Sequence, residues 1–305
     1  PDVETRAPLG LARTVVVCVL SAGATLLAVD FMFGLQIGGH RMIATAYHYL
    51  IIALYGAAGF LLPTGASRRF LGLDWGWTDW PMAAGLLTVG FYLAWNANNI
   101  LMMGWDIMAP PLPTAAATAL VLLSLIGVWR GGGLVLLGIC SLFAVYPMFA
   151  DSMPGVLWGA QFTPEEAMLA HALGIESIIG IPMRVVAELL IGFIVFGVAL
   201  TLTGAGDFFM NLAAALMGGT RGGPAKVAIL SSGFFGSLSG SVISNVLSTG
   251  TLTIPTMRRC GYPPTYAAAV EACASTGGSL MPPVMGAVAF VMAMFLNVPY
   301  AEVVV

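Results

Sequence analysis

The stretch GSLSGSVISN, residues 236–245, places two glycines, four serines and an asparagine inside one of the most apolar parts of the chain. A second cluster, STGGSLMPP, follows at residues 275–283. Grouped hydroxyl and carbonyl oxygens can replace the water shell of a small hard cation, and glycines let the backbone come close to the ion. Gly, Ser and Thr are also enriched wherever membrane helices pack tightly, so either stretch alone reads both ways. Two interruptions close together in otherwise apolar sequence point instead to the binding site of a transporter.

Other chemistries fit less well. SLSG, residues 237–240, is one residue from the G-x-S-G of rhomboid intramembrane serine proteases. A serine nucleophile needs a general base, and the histidines His40, His48 and His171 all lie upstream, whereas the base of such an enzyme lies in a later span. GGTRGGPAK, residues 218–226, does not match a phosphate loop. Cys18, Cys140, Cys260 and Cys273 form no C-x-x-C pair and no zinc spacing. No basic patch points to nucleic acid, and no cofactor is implied.

The elements that must hold these residues are membrane helices. With 59% hydrophobic and 8% charged residues and a mean hydropathy of +0.93, the chain lies far from the soluble average of about 25% charged residues. It reads as an all-α polytopic membrane protein in contact with lipid. Apolar runs at Val15 to Phe33, Ile43 to Leu62, Pro81 to Trp95, Leu112 to Trp129, Gly132 to Ala150 and Leu189 to Leu202 approach the length of a spanning helix. The intervening segments QIGGHR, PTGASRRFLGLDWGWTDW, NANNILMMGWDIMAPPLP and RGG read as loops. If the N-terminus is cytoplasmic and each run crosses once, Arg6, Arg13, Arg68, Arg69, Arg130, Arg221, Lys226, Arg258 and Arg259 fall inside and only Arg41 falls outside. That split obeys the positive-inside rule, with Arg184 left in or near a membrane segment. A structural membrane subunit that transports nothing also fits residues 1–150.

Gly206 to Gly219 is too short to cross and reads as an interfacial helix, or as an amphipathic helix packed on the domain. Residues 226–257 carry positive charge at both ends and two apolar arms shorter than a span, the pattern of a re-entrant hairpin with its tip at depth. Residues 265–296 form one full span broken in the middle by Gly277, Gly278, Pro282 and Pro283.

The motifs GAGDFF, RGGPAKVA, GSLSGSVISNVLSTGTLTIPTM, GYPP, AAAVEACASTGGSLMPPVMGAVAF and FLNVPYAEVV, from about Ile178 onward, resemble the membrane subunit of tripartite ATP-independent periplasmic (TRAP) transporters. More narrowly they resemble the fused permeases paired with TAXI-type binding proteins. The resemblance implies a multi-pass symporter of a bacterial or archaeal cytoplasmic membrane, built as an elevator and driven by sodium. It would take an organic carboxylate from a periplasmic solute-binding protein. It implies sodium ligands among Ser237, Ser239, Gly240, Ser241, Asn245, Ser275, Thr276, Gly277 and Gly278, and substrate contacts at Ser241, Asn245, Thr276 and Pro282. It divides the chain into small-subunit-like helices (1–150), a connector (151–174) and the first half of the large-subunit region (175–305). The family's second inverted half is expected beyond this sequence, so these residues would supply part of a transport site.

Ionisable residues within membrane segments default to a functional hypothesis. Arg184 and Glu188 share a helical face at i, i+4 and suggest a neutralising pair. Glu271 reads either as a coupling residue or as a packed carboxylate. Asp30 and Asn96 to Asn99 are expected at the external interface.

Overall fold

The structure, a computed structural model, describes residues 10–36, 42–62, 69–70, 73–74, 78–282 and 285–304. Arg6, His40, Arg41, Arg68 and Pro283 lie outside the described residues. Among the described residues the protein is all-α apart from a two-residue strand pair, Arg69–Phe70 with Leu73–Asp74. It forms two compact units, residues 1–187 and 188–305.

The first unit opens with α1 (Leu11–Phe33), α2 (Ala44–Leu61), α3 (Asp79–Trp95) and α4 (Ala97–Met103), followed by α5 (Pro111–Val145). Two expected loops are thus shorter than read. Trp80 belongs to α3, and residues 97–103 of the expected loop NANNILMMGWDIMAPPLP are helical, because leucine and methionine favour helix once Asn96 has turned the chain. Prolines at the start of α5 need no N–H, and Gly34 and Gly104 close α1 and α4 in the left-handed conformation.

Among the described residues, four helices are long and apolar enough to span a membrane: Leu11–Phe33, Ala44–Leu61, Pro111–Met148 and Ile181–Ala199. The third is really two. Gly133 has φ 76° and ψ −174°, which breaks the helix one residue past the expected RGG segment, residues 130–132. Val121 and Phe143 would stand about 33 Å apart on a straight helix, yet both line one cavity beside His171, so the two arms fold back on each other. His171 Nε2 also lies 2.9 Å from the Ala144 carbonyl. With α3, at 17 residues just under a full span, the described residues supply six candidate crossings.

Large apolar side chains on the second arm of α5, including Leu134, Val135, Ile139, Leu142 and Phe143, are exposed, as expected of a surface that meets lipid. Inside, Tyr49, Phe60, Leu86, Leu93, Leu120, Leu169 and Leu173 form the core. The last two come from α6 (Pro164–Leu173), within the segment read as a connector. A reciprocal Thr163–Glu166 capping box starts this helix, and the bond from the Thr163 N–H holds the Glu166 carboxyl below its usual range. Tyr49 Oη donates to the Ala172 carbonyl at 2.9 Å and so ties α2 to α6.

One end of this bundle is organised by charge. Asp79, 2% exposed, accepts from Arg130 at 2.7 Å and pairs with Arg13 at 2.9 Å. Arg130 also donates to Thr78 Oγ1 at 2.8 Å and lies over the Phe60 ring. The start of α1, the end of α2, the start of α3 and the break in α5 therefore meet at one side of the bundle, as alternating crossings require.

The helix α7 (Ile181–Val185) passes through one π turn into α8 (Ile191–Leu202). In the second unit α9 (Ala205–Met217) is the short amphipathic element, and it packs on α10 (Gly223–Ser239). Then come α11 (Val242–Arg259), α12 (Pro264–Gly278), α13 (Ala287–Leu296) and α14 (Tyr300–Val304).

Candidate ion and substrate site

Helices α10 and α11 are the two arms of the expected hairpin, and its tip is tight. Only Gly240 and Ser241 leave helical geometry: Gly240 is left-handed at φ 61°, and Ser241 caps α11, its Oγ accepting from the Ser244 N–H at 3.3 Å. Helices α12 and α13 stand where the two arms on either side of the second interruption were expected. Between them Ser279, Met285 and Gly286 leave the helix, and the bond from Gly286 N–H to the Ser279 carbonyl at 2.7 Å closes the interruption.

The two interruptions abut. A Cβ on Gly240 would stand 2.2 Å from the Met285 carbonyl oxygen, and one on Gly286 would stand 3.4 Å from the Gly240 carbonyl oxygen. Just below, Gly236 and Gly278 bring α10 and α12 into backbone contact, since a Cβ on Gly236 would lie 2.6 Å from the Gly278 Cα. Met285 holds φ 59°, a conformation that costs an ordinary residue about 1–2 kcal/mol. Packing of the hairpin tip against the break maintains it.

Four helix ends consequently converge. The C-terminal ends of α10 and α12 present carbonyl oxygens and negative dipole, and the N-terminal ends of α11 and α13 present N–H groups and positive dipole. Such a junction can hold a cation and an anion side by side. Ser239 Oγ, buried here against Gly197 of α8, has no hydrogen-bond partner. A buried hydroxyl left unpaired costs about 1–3 kcal/mol, and a bound cation would remove that cost.

The sequence-derived residues fall into three groups. Ser239, Gly240 and Ser241 form the tip, with Ser237 one turn back, its Oγ donating to the Phe234 carbonyl at 2.8 Å. Asn245, Ser275 and Gly278 lie deeper and are buried; Asn245 Nδ2 donates to the Ser232 carbonyl at 2.8 Å, joining the two arms of the hairpin. Thr276, Gly277 and Pro282 are exposed, and Thr276 Oγ1 donates to the Ala272 carbonyl of its own helix at 2.7 Å.

Three polar residues not singled out for the site complete the deeper group, namely Ser232, Thr249 and Thr253. With Ser275 they surround the carboxylate of Glu271, which is 0% exposed. The signal was present in the sequence, because Asn245, Thr249 and Thr253 recur every four residues on one face of α11.

Exposed apolar helices in the first unit and, in the second, a helical hairpin whose tip abuts the break between α12 and α13 are features suited to a membrane permease. A sequence model of the family described as "Tripartite ATP-independent periplasmic transporter, DctM component" matches residues 117–305. The chain belongs to this family, which is one of transporter permeases and not of proteases.

Among similar proteins, the C4-dicarboxylate TRAP transporter large permease protein DctM of Pseudomonas aeruginosa is 36% identical over 91 residues, 30% of this chain and 21% of that protein. The isethionate TRAP transporter permease protein DctMQ of Oleidesulfovibrio alaskensis is 37% identical over 91 residues, 30% of this chain and 14% of that protein. The chain thus spans about a fifth or less of the length of these relatives. No solved structure gave a significant match.

Proposed function

We propose that this chain is part of the permease of a sodium-coupled secondary transporter that imports an organic acid anion delivered by a periplasmic solute-binding protein of the TAXI type. The observation that carries the reading is the junction of hairpin tip and broken helix, with its unpartnered Ser239 hydroxyl. Sodium would sit against the C-terminal ends of α10 and α12, using Ser239 Oγ and backbone oxygens of the tip and the break. The anion would face the N-terminal ends of α11 and α13, near Ser241. The names of the two relatives, a C4-dicarboxylate and an isethionate transporter, are both those of anion carriers and support a carboxylate or a similar anion as substrate. The positive-inside rule supports a cytoplasmic location for the end where Arg13 and Arg130 meet Asp79, and hence for the N-terminus. Movement of the second unit as an elevator follows from the family resemblance.

The test is uptake by the complete transporter, reconstituted in liposomes with its binding protein. An inward sodium gradient should drive accumulation without ATP. Uptake that is unchanged when potassium replaces sodium would refute the sodium assignment, and uptake that requires internal ATP would refute secondary transport.

A further inference from the structure

Every Lys and Arg of the second unit, namely Arg221, Lys226, Arg258 and Arg259, gathers at one end of it. Ala228 of α10 packs with Met257 of α11, which brings Lys226, just before the one, to the same end as Arg258 and Arg259, just after the other. Arg221 stands in the turn from α9 to α10, and a Cβ on the adjoining Gly222 would come 4.0 Å from Tyr262 Oη, in the turn that follows Arg259. All four side chains are exposed. Lys226 Nζ donates to Thr220 Oγ1 at 3.3 Å, and among the described residues none of the four forms an ion pair. No Asp or Glu occurs from residue 208 to residue 270. Asp207 lies at the far end of α9, and Glu271 is enclosed by its own hydroxyl partners, so the positive charges of this end have no counter-charge within their unit.

An apolar flank of α9 leads away from this end. The turn is tight, since a Cβ on Gly223 would stand 2.4 Å from the Gly218 carbonyl oxygen, and towards the other end of α9 the Phe209 ring lies 6.0 Å from that of Phe234 on α10. The two helices therefore run side by side in opposite directions, and Asp207 at the start of α9 lines one cavity with Ser244, just past the hairpin tip. The helical repeat sorts the side chains of α9 into three strips. Phe209 and the buried Ala213 turn inward, Asp207 and Asn211 are exposed on one flank, and Phe208, Leu212 and Leu216 are exposed on the other. This last row is about 12 Å long. Contiguous exposed apolar side chains of this kind mark a surface that meets a membrane or a partner.

We propose that this end of the second unit binds an anionic phospholipid, its phosphate held among Arg221, Lys226, Arg258 and Arg259 and an acyl chain laid along Phe208, Leu212 and Leu216. Charge complementarity selects the headgroup: uncompensated guanidinium and ammonium groups attract an anion and gain less from a zwitterion, whose own cation they repel. The planar fork of arginine also bonds phosphate oxygens two at a time. The flank selects the chain. It begins at Leu216, in the last turn of α9 before Arg221, and runs away from the charge, so a phosphodiester at the basic end keeps its hydrocarbon on the apolar row. Free phosphate would use only the first half of this surface, and a neutral protein segment only the second. The surface lies at the opposite end of α10 from the ion and substrate junction and rests on neither sodium coupling nor the identity of the substrate.

The complete transporter, purified and delipidated in a neutral detergent, tests this without any transport assay. It would be titrated with phosphatidylglycerol, phosphatidylcholine and inorganic phosphate, with binding read by native mass spectrometry and by melting temperature. Phosphatidylglycerol should bind in preference to phosphatidylcholine, raise the melting temperature, and bind less tightly as salt rises. Each cation near a membrane surface is worth about a fivefold factor in affinity for anionic lipid, so Arg258→Gln and Arg259→Gln together should weaken phosphatidylglycerol about 25-fold. Leu212→Gln should weaken it too. The lipid-free variants should melt near the wild type, because all three side chains are exposed. Equal binding of the two lipids, unchanged affinity in the double variant or in Leu212→Gln, or competition by inorganic phosphate at equimolar concentration would overturn the proposal. A Leu212→Gln protein that melts well below the wild type before lipid is added would show that a protein segment covers the flank, and would overturn it as well.

Discussion

Substituting Gly240 by alanine tests the junction between hairpin and broken helix. Two costs follow from the geometry. An alanine at φ 61° is left-handed, which disfavours it by about 1–2 kcal/mol. Its Cβ would also stand 2.2 Å from the Met285 carbonyl oxygen, a distance that requires the tip or the break to shift by about 1 Å. Overpacking of this kind costs about 1–3 kcal/mol, giving about 2–5 kcal/mol in all. Gly277 is the control. It lies in the last turn of α12, and an added Cβ there meets nothing within 4 Å. Gly277→Ala should be neutral, or stabilising by about 0.5–1 kcal/mol through reduced freedom of the unfolded chain. Thermal and denaturant unfolding of both variants in detergent, beside the wild type, measures the difference. If Gly240→Ala unfolds no more easily than Gly277→Ala, the tip does not abut the break and the convergence of the four helix ends is wrong.

Two further outcomes are expected. Ser239→Ala removes the unpaired buried hydroxyl, so stability without sodium should hold or rise by about 1 kcal/mol, while the added stability that sodium confers on the wild type should shrink; lower stability without sodium together with an unchanged sodium response would contradict an ion-ligand role. Asp79→Ala leaves Arg13 and Arg130 without their shared carboxylate and should cost about 3–5 kcal/mol, whereas Arg13→Ala should cost less because Arg130 keeps its bond to Asp79; equal losses on denaturation would show that the carboxylate is not shared as the structure has it.

The sequence by itself determined the solvent, the spans and the two interruptions. Runs of apolar residues have one stable solution in lipid, where every backbone group must bond within its own helix. A break beside RGG, one at Gly240 in SLSGS and one near residues 277–283 were legible because glycine and proline change what the backbone can do locally, although Gly277 and Gly278, expected to break the helix, form the last turn of α12, since a glycine whose neighbours are helical need not leave the helix. Helical residues 97–103 were not, since asparagine and glycine around a short apolar run signal a loop as readily as a helix. What only the tertiary structure decided is which oxygens share a place. The site set inferred from sequence was drawn from contiguous motifs, so it joined Thr276, which bonds its own helix, to Ser275, which turns the other way onto Glu271. The buried cluster is assembled from Ser232, Asn245, Thr249, Thr253, Glu271 and Ser275 on three helices. Adjacency in sequence places neighbouring side chains on different faces of a helix. Whether Glu271 was a packed or a working carboxylate could therefore be posed only after α10 and α11 had closed around it.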